Sequence, residues 1–326
     1  MLLRAYRATG ADLPFGRPER AHGVPFEGYY WRVVHPERGL VVVAIGADCD
    51  GATASGHVRP AASTRKSWGM ATLAAHPGGF VRTSVEPSAV ADPYAYGVTV
   101  GRALRGDALG IHVDLGPDAR LDAAFDDVVP WPRRSLGALG AAHAVPGLAQ
   151  YWQPVVLGAR VRGRATLGGE ELALDGAVAY AEKNWARAFP DHWWWGHAAA
   201  FGEPGVMTAF AGGPLRLAGT TVAATAVVVR LGDELLALAP PLARTRVAAS
   251  AAGWRLRTRG ARGVRVELEG EPGGAPHVLD VPVPGERRTL PRSHQHLAGR
   301  LTLTVRRGTR LIYSGESALA GLEHGV

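Results

Sequence analysis

Glu182, Lys183 and Asn184 follow one another in the stretch YAEKNWARAFPDHWWWGH, which runs from Tyr180 to His197. Lys183 is one of two lysines in the 326-residue chain, and Asn184 is its one asparagine. Four of the nine tryptophans, Trp185, Trp193, Trp194 and Trp195, lie in the same stretch. In an extended chain alternate side chains share a face. Tyr180, Glu182 and Asn184 then face one way, and Lys183 and Trp185 the other. After a break at Pro190 and Asp191, Trp193, Trp195 and His197 line one face of a second run. Two strands so built offer carboxyl, amide, phenol and imidazole groups among indole rings. An apolar pocket with a few convergent polar groups needs those types. The same residues also suit a packed core, with a tryptophan cluster, a structural Glu–Lys pair and a satisfied histidine. Both readings stand at this point.

The elements that would position these groups read as β throughout. Short apolar runs such as GLVVVAIGAD, LGIHVDLG, TVAATAVVVRLGD and RLTLTVRRGTRLIYSGES are separated by Gly, Pro and Asp. Several alternate at period two, the mark of half-buried antiparallel strands. Turn signals recur every 8–12 residues or so, as in sandwiches and barrels. One short helix is predicted near Arg65–Ala75. Two aromatic-led hairpins, from Trp31 and from Trp195, echo each other and hint at two related halves. A fresh strand pair in RVRGRATLGGEELALDG places the boundary between residues 162 and 163. The stretch Pro130–Gly147, rich in Pro, Gly, Ala and Arg, reads as a long connection or lid.

Composition narrows the function classes. A formal charge of +7 comes from 36 basic residues, of which two are lysine. The arginines are dispersed and accompany no nucleic-acid motif, so nucleic acid is not expected as a partner. The densest run, Arg255 to Arg265, alternates with apolar residues and reads as solvent-facing strands, with contact to a membrane surface as the minority reading. Cys49 is the one cysteine, which excludes an intrachain disulfide and fits a buried small residue. No signal-peptide pattern or long apolar run is present, so the expected compartment is the cytoplasm, with membrane association as the alternative. The histidines lack metal-ligand spacing, and SHQH (Ser293–His296) reads as a surface turn. Phosphate loops and serine nucleophile elbows are absent, and no cofactor or metal is expected.

The stretch around Glu182 also resembles the tocopherol cyclase family, with its Glu-Lys-Asn-Trp run followed by Phe-Pro and a Trp-x-Trp strand. PFEGYYWRVVHP (Pro25–Pro36), YWQPVVLGARVRG (from Tyr151) and the closing SALAGLEHG are similar to further segments of that family. The likeness runs from about Phe26 to about Gly325. It implies an all-β chain of two lipocalin-like antiparallel β-barrel or sandwich domains, residues 1–162 and 163–326. Two positions depart from the family pattern: Ala186 stands where Gly is usual, and His197 where Gln is frequent.

The activity implied by the resemblance is isomerase-type: addition of a phenol across an isoprenoid double bond, closing a prenylated hydroquinone to a chromanol without redox change. An acid must protonate a trisubstituted alkene, and the tertiary cation must be kept from water. Indole faces stabilise such a cation by about 2 kcal/mol when desolvated. Glu182 or Asp191 would be the acid, since a carboxyl in an apolar site has its pKa raised. Glu27 is a second candidate, or the ion-pair partner of Arg32 or Lys183. Trp193 and Trp195, with Trp185, would line the substrate site. His197, Tyr180 or Tyr29 would position the quinol or take its proton, and Asn184 would donate to a quinol oxygen. Lys183, pointing away from Glu182, is expected to pair with another carboxylate or to cap the barrel. The competing readings are a carrier of isoprenoid lipids without chemistry, a hydratase or cyclase of another terpenoid, and a purely structural β protein.

Overall fold

The computed structural model describes residues 25–50, 67–92, 94–145, 148, 150–217 and 220–326. The fold is all-β, with two antiparallel sheets of lipocalin-like character. The first sheet takes β1 (Phe26–His35), β2 (Leu40–Asp50), β3 (Ser67–His76), β4 (Phe80–Glu86), β5 (Ala89–Ala91) and β6 (Gly97–Val100). It continues with β7 (Leu104–Asp107), β8 (Gly110–Asp114), β9 (Ala119–Pro130), β10 (Gln150–Leu167), β11 (Glu170–Ala173) and β12 (Val178–Ala186). Its order is β4-β3-β2-β1-β12-β10-β9-β8-β7-β6-β5, with β11 beside β10. The far strands β5 and β6 pack back on β2 and β3, and Ser67 Oγ donates to Ala89 O at 2.6 Å. The sheet therefore curls around one core, which holds Tyr29, Trp31, Val42, Leu73, Val100, Leu121 and Val161.

The second sheet takes β13 (Trp193–Ala198), β14 (Val206–Leu217), β15 (Thr220–Leu231), β16 (Glu234–Leu238) and β17 (Arg244–Ser250). Then come β18 (Gly253–Arg259), β19 (Val264–Glu271), β20 (His277–Val283), β21 (Arg288–Arg307) and β22 (Arg310–Gly325). Its order is β16-β15-β14-β13-β22-β21-β19-β18-β17, with β20 beside β21. Its core gathers Phe210, Val227, Trp254, Leu268, Leu303 and Leu322. The alternation of RLTLTVRR is as expected, with Leu301, Leu303 and Val305 buried and Arg306 exposed. The two hairpins from Trp31 and Trp195 hold matching places. β1 sits between β12 and β2, and β13 sits between β22 and β14.

Three expectations change. The expected helix at 65–75 is strand β3 from Ser67 on, while residues 65 and 66 lie outside the described residues. All eight interior positions of β3 are buried, so no period marks it, and a short unbroken apolar run cannot be assigned by period. The boundary at 162/163 falls inside β10, which runs unbroken through it. The turn read there is real, but it joins β10 to β11 within the first sheet. Among the described residues, the compact units instead comprise residues 25–137, 143–189 and 279–291, and residues 138–142, 190–278 and 292–326. Finally, the Pro130–Gly147 connection carries a 3-10 turn, Gly140–Ala144, that buries His143 in the first unit.

Candidate active site

The register of three strands explains why the signature stretches occur together. β1, β12 and β10 are neighbours, and FEGYY, EKNW and YWQP lie side by side. Glu27, Gly28, Tyr29 and Tyr30 face Trp185, Asn184, Lys183 and Glu182 on one side of β12. Tyr151, Trp152, Gln153 and Pro154 face the same four on the other. Directly opposed residues point to the same face. One face therefore collects Glu27, Tyr29, Lys183, Trp185, Tyr151 and Gln153, and the other Tyr30, Glu182, Asn184, Tyr180 and Trp152. Gly28 is needed by its partner: a Cβ there would stand 2.2 Å from Asn184 Oδ1. Ala186 packs in a cluster with Phe26, Cys49, Trp68 and Met70, so Cys49 is the buried small residue expected.

The first face holds an ion pair. Lys183 Nζ donates to Glu27 Oε2 at 3.1 Å, and Tyr29 OH donates to the same oxygen at 3.0 Å. Both charged side chains are fully buried. The ammonium also lies 5.2 Å from the Tyr29 ring centroid and 5.8 Å from that of Trp185. Trp185 stacks on Tyr151 at 5.1 Å and on His143 at 5.5 Å. His143 Nε2 sits 3.1 Å from Trp152 O. Of the two partners weighed for Glu27, Lys183 forms an ion pair with it.

On the other face Glu182 is buried, and its Oε2 accepts from Tyr180 OH at 2.6 Å and from Trp152 Nε1 at 2.8 Å. Tyr180 and Tyr29 are both held well above the ordinary phenol value, chiefly by burial and then by the carboxylate each one faces. They stay protonated and already donate, so neither can take a proton from a quinol. Asn184 is half-buried, and its Oδ1 lacks a partner.

In the second unit Trp193, Trp195 and His197 do share a face, and the register brings a carboxyl to them. Trp195 lies opposite Glu323 of β22, His197 opposite Gly321, and Glu323 opposite Gln295 of β21. Trp193 Nε1 donates to Glu323 Oε1 at 2.5 Å, and Gln295 Nε2 donates to Oε2 at 2.7 Å. Glu323 is half-buried. Burial pushes its carboxyl above the ordinary value, while the hydrogen bonds from Trp193, Gln295 and Ser293 pull the other way. The Trp193 ring rests on Gly325, where a Cβ would come within 2.0 Å of it, and Arg292 lies 5.7 Å from its centroid. Trp193 thus holds the carboxyl, and Trp195 remains as the indole wall. Replacing Gly325 with alanine is expected to displace the Trp193 ring. Tryptophan fluorescence should shift, and the carboxyl should lose one donor; an unchanged spectrum would contradict this packing.

Asp191 does not join either group. It is exposed, its backbone carbonyl accepts from Arg292 at 3.1 Å, and the dry setting its acid role requires is missing. SHQH is no surface turn: Ser293, Gln295 and His296 are buried within β21. Sequence reasoning missed Glu323, Gln295, Trp152 and His143. The closing segment SALAGLEHG contained the signal for Glu323, a lone acid among small and apolar residues, but not its partner. Among the described residues no group of three His, Cys, Asp or Glu could hold a metal ion.

A family model described as tocopherol cyclase-like matches residues 117–326. The chain is 28% identical over 120 residues to a probable chloroplastic tocopherol cyclase of Oryza sativa subsp. japonica, covering 36% of this chain and 26% of that protein. A chloroplastic tocopherol cyclase of Zea mays is also 28% identical over 120 residues, 36% of this chain and 25% of that one. The match thus spans about a quarter of the length of these relatives. Among solved structures, an AttH protein of Nitrosomonas europaea aligns with a TM-score of 0.52 at 13% identity, over 93% of this chain and 92% of that one. Kievitone hydratase of Nectria haematococca aligns with a TM-score of 0.51 at 12% identity, over 97% and 94%. At such identities these two likenesses concern the fold alone. The family match covers well over half of the chain and ends on the strand that carries Glu323, and the protein belongs to the tocopherol cyclase-like family.

Proposed function

We propose that the protein is an acid-catalysed cyclase of prenylated hydroquinones, closing a chromanol ring without redox change, with Glu323 as the proton donor. The supporting observation is a carboxyl lifted by burial beside two indoles, Trp193 and Trp195. The protonated carboxyl gives its proton to the less substituted alkene carbon. The tertiary cation forms beside the Trp195 ring, which stabilises it without offering a nucleophile. The phenol oxygen closes on the cation, and the phenol proton returns to the Glu323 carboxylate, directly or through His197. The cycle is balanced, with no net proton or electron. Glu182, already gripped by Tyr180 and Trp152, is the competing carboxyl. The relatives it resembles include a tocopherol cyclase of Zea mays, which fits this reading.

Incubation with a panel of prenylated hydroquinones tests it by product mass. A cyclised product has the mass of the substrate. A product heavier by one water would make the protein a hydratase, and a bound, unchanged substrate would make it a carrier.

The pH dependence follows from the raised carboxyl. The donor is the protonated form, so turnover should fall as pH rises through a value above the ordinary carboxylate range. The stability sign agrees. A folded-state pKa above the unfolded one favours folding below the unfolded value, and that gain is lost as pH rises through the folded value. Wild type should therefore gain stability relative to Glu323→Gln as pH is lowered, as followed by thermal unfolding; a constant difference would contradict the shift.

A further inference from the structure

Across four adjacent strands of the second sheet, arginines stand side by side. Arg244 of β17 is paired with Arg259 of β18, Arg259 with Arg265 of β19, and Arg265 with Arg306 of β21. The row ends on Leu311 of β22, opposite Arg306. All five side chains are exposed, on the face away from the core of that sheet. Like charges directly opposed across strands destabilise a sheet. The neighbouring row adds Arg246 and Arg257, and the turn between β18 and β19 adds exposed Arg262. Three carboxylates of this sheet are engaged elsewhere, Glu269 with Arg255, Glu316 with Arg300 and Glu234 with Arg307, while exposed Glu267 stands opposite Arg257 in the neighbouring row. Among the described residues, no ion pair holds Arg244, Arg259, Arg265 or Arg306. The same region exposes large apolar side chains, Leu242 at 79%, Leu311 at 48% and Ile312 at 37%. Leu242 stands two residues before the row begins.

We propose that this arginine row, with its flanking leucines, docks the protein on an anionic phospholipid surface. Repulsion within the row is relieved when lipid phosphates lie against it. The guanidinium forks suit phosphate oxygens. The exposed Leu242, Leu311 and Ile312 favour a bilayer over a nucleic acid, because apolar side chains gain by entering the headgroup boundary and gain nothing at a phosphodiester backbone. No helix among the described residues is long and apolar enough to cross a membrane. The inference stands on charge and exposure and does not depend on the chemistry proposed above, though a surface site would bring the protein to where isoprenoid quinols dissolve.

Vesicle flotation tests it directly. The protein should bind vesicles of phosphatidylcholine mixed with phosphatidylglycerol and not phosphatidylcholine alone, and added salt should release it. The double variant Arg259→Gln/Arg265→Gln should bind about 25-fold more weakly, at about fivefold per arginine near an anionic surface. Leu311→Ser should weaken binding at every salt concentration. Arg82→Gln/Arg120→Gln, exposed arginines of the first sheet, should bind as wild type does. Thermal unfolding should show the Arg259/Arg265 variant folded and no less stable, since two repelling charges have gone. Equal binding to both vesicle types, unchanged binding of the double variant, or equal affinity for a DNA duplex at the same salt would each overturn the proposal. None of these readings uses turnover, so a failed cyclase assay leaves this result intact.

Discussion

Glu323→Gln lowers turnover by about 10²–10⁴-fold, the range that a positioned general acid contributes, while substrate binding changes only a few-fold. Glutamine keeps the shape of the side chain and can still meet Trp193 Nε1 or Gln295 Nε2, whose bonds to Glu323 fix its place. It cannot release a proton to carbon. The fold should survive, because Glu323 is half-buried at the face of the sheet and not in its core. Glu182→Gln is the matched comparison. Its carboxyl accepts two hydrogen bonds on one oxygen, which makes it a fixed anchor for Tyr180 and Trp152. Turnover by Glu182→Gln should fall far less than by Glu323→Gln. The reverse order, in two folded variants, would move the acid to Glu182.

A second large effect is on stability. Lys183→Met leaves Glu27 as a buried charge without its ammonium partner, and breaking such a pair costs about 3–5 kcal/mol. Both side chains are fully buried, so solvent cannot replace the lost contact. The loss also removes a cation lying 5.2 Å from the Tyr29 ring centroid. For a unit of this size the midpoint of unfolding should drop by on the order of 10 °C. The double variant Glu27→Gln/Lys183→Met should recover most of that, because the buried charge has gone with its partner. A single variant as stable as wild type would show that Glu27 takes up a proton or another partner at little cost.

Much of the fold could be read from period-two alternation and from turn residues, as β21 illustrates: Leu301, Leu303 and Val305 are buried and Arg306 exposed. Where every position was apolar, as in β3, period carried no information. The faces of β12 and β13 were also legible, since alternation alone separates Lys183 from Glu182 and puts Trp193, Trp195 and His197 together. Partners were not legible. Trp193 and Glu323 are 130 residues apart in sequence and meet only through the register of β13 on β22. The local mark of Glu323, a lone acid among small and apolar residues, did not point to Trp193 or Gln295, whereas Lys183 and Asn184 stand out by rarity alone. Those rare residues lie where three strands interlock: Asn184 against Gly28, Lys183 on Glu27, and Trp185 between Tyr151 and His143. The bland expectation of a structural ion pair thus describes Glu27 and Lys183. Glu182 was a sound candidate by type, but its hydrogen bonds to Trp152 and Tyr180 depend on a strand pairing that spacing could not supply.

Turnover in deuterium oxide tests the central claim most directly. Protonation of an alkene carbon by an exchangeable carboxyl places one deuterium on that carbon, and this label survives return to ordinary water. The account predicts a cyclised product that carries one such deuterium with wild-type protein, and product formed about 10²–10⁴-fold more slowly with Glu323→Gln. A cyclised product without carbon-bound deuterium, or full labelled turnover by Glu323→Gln, would contradict it.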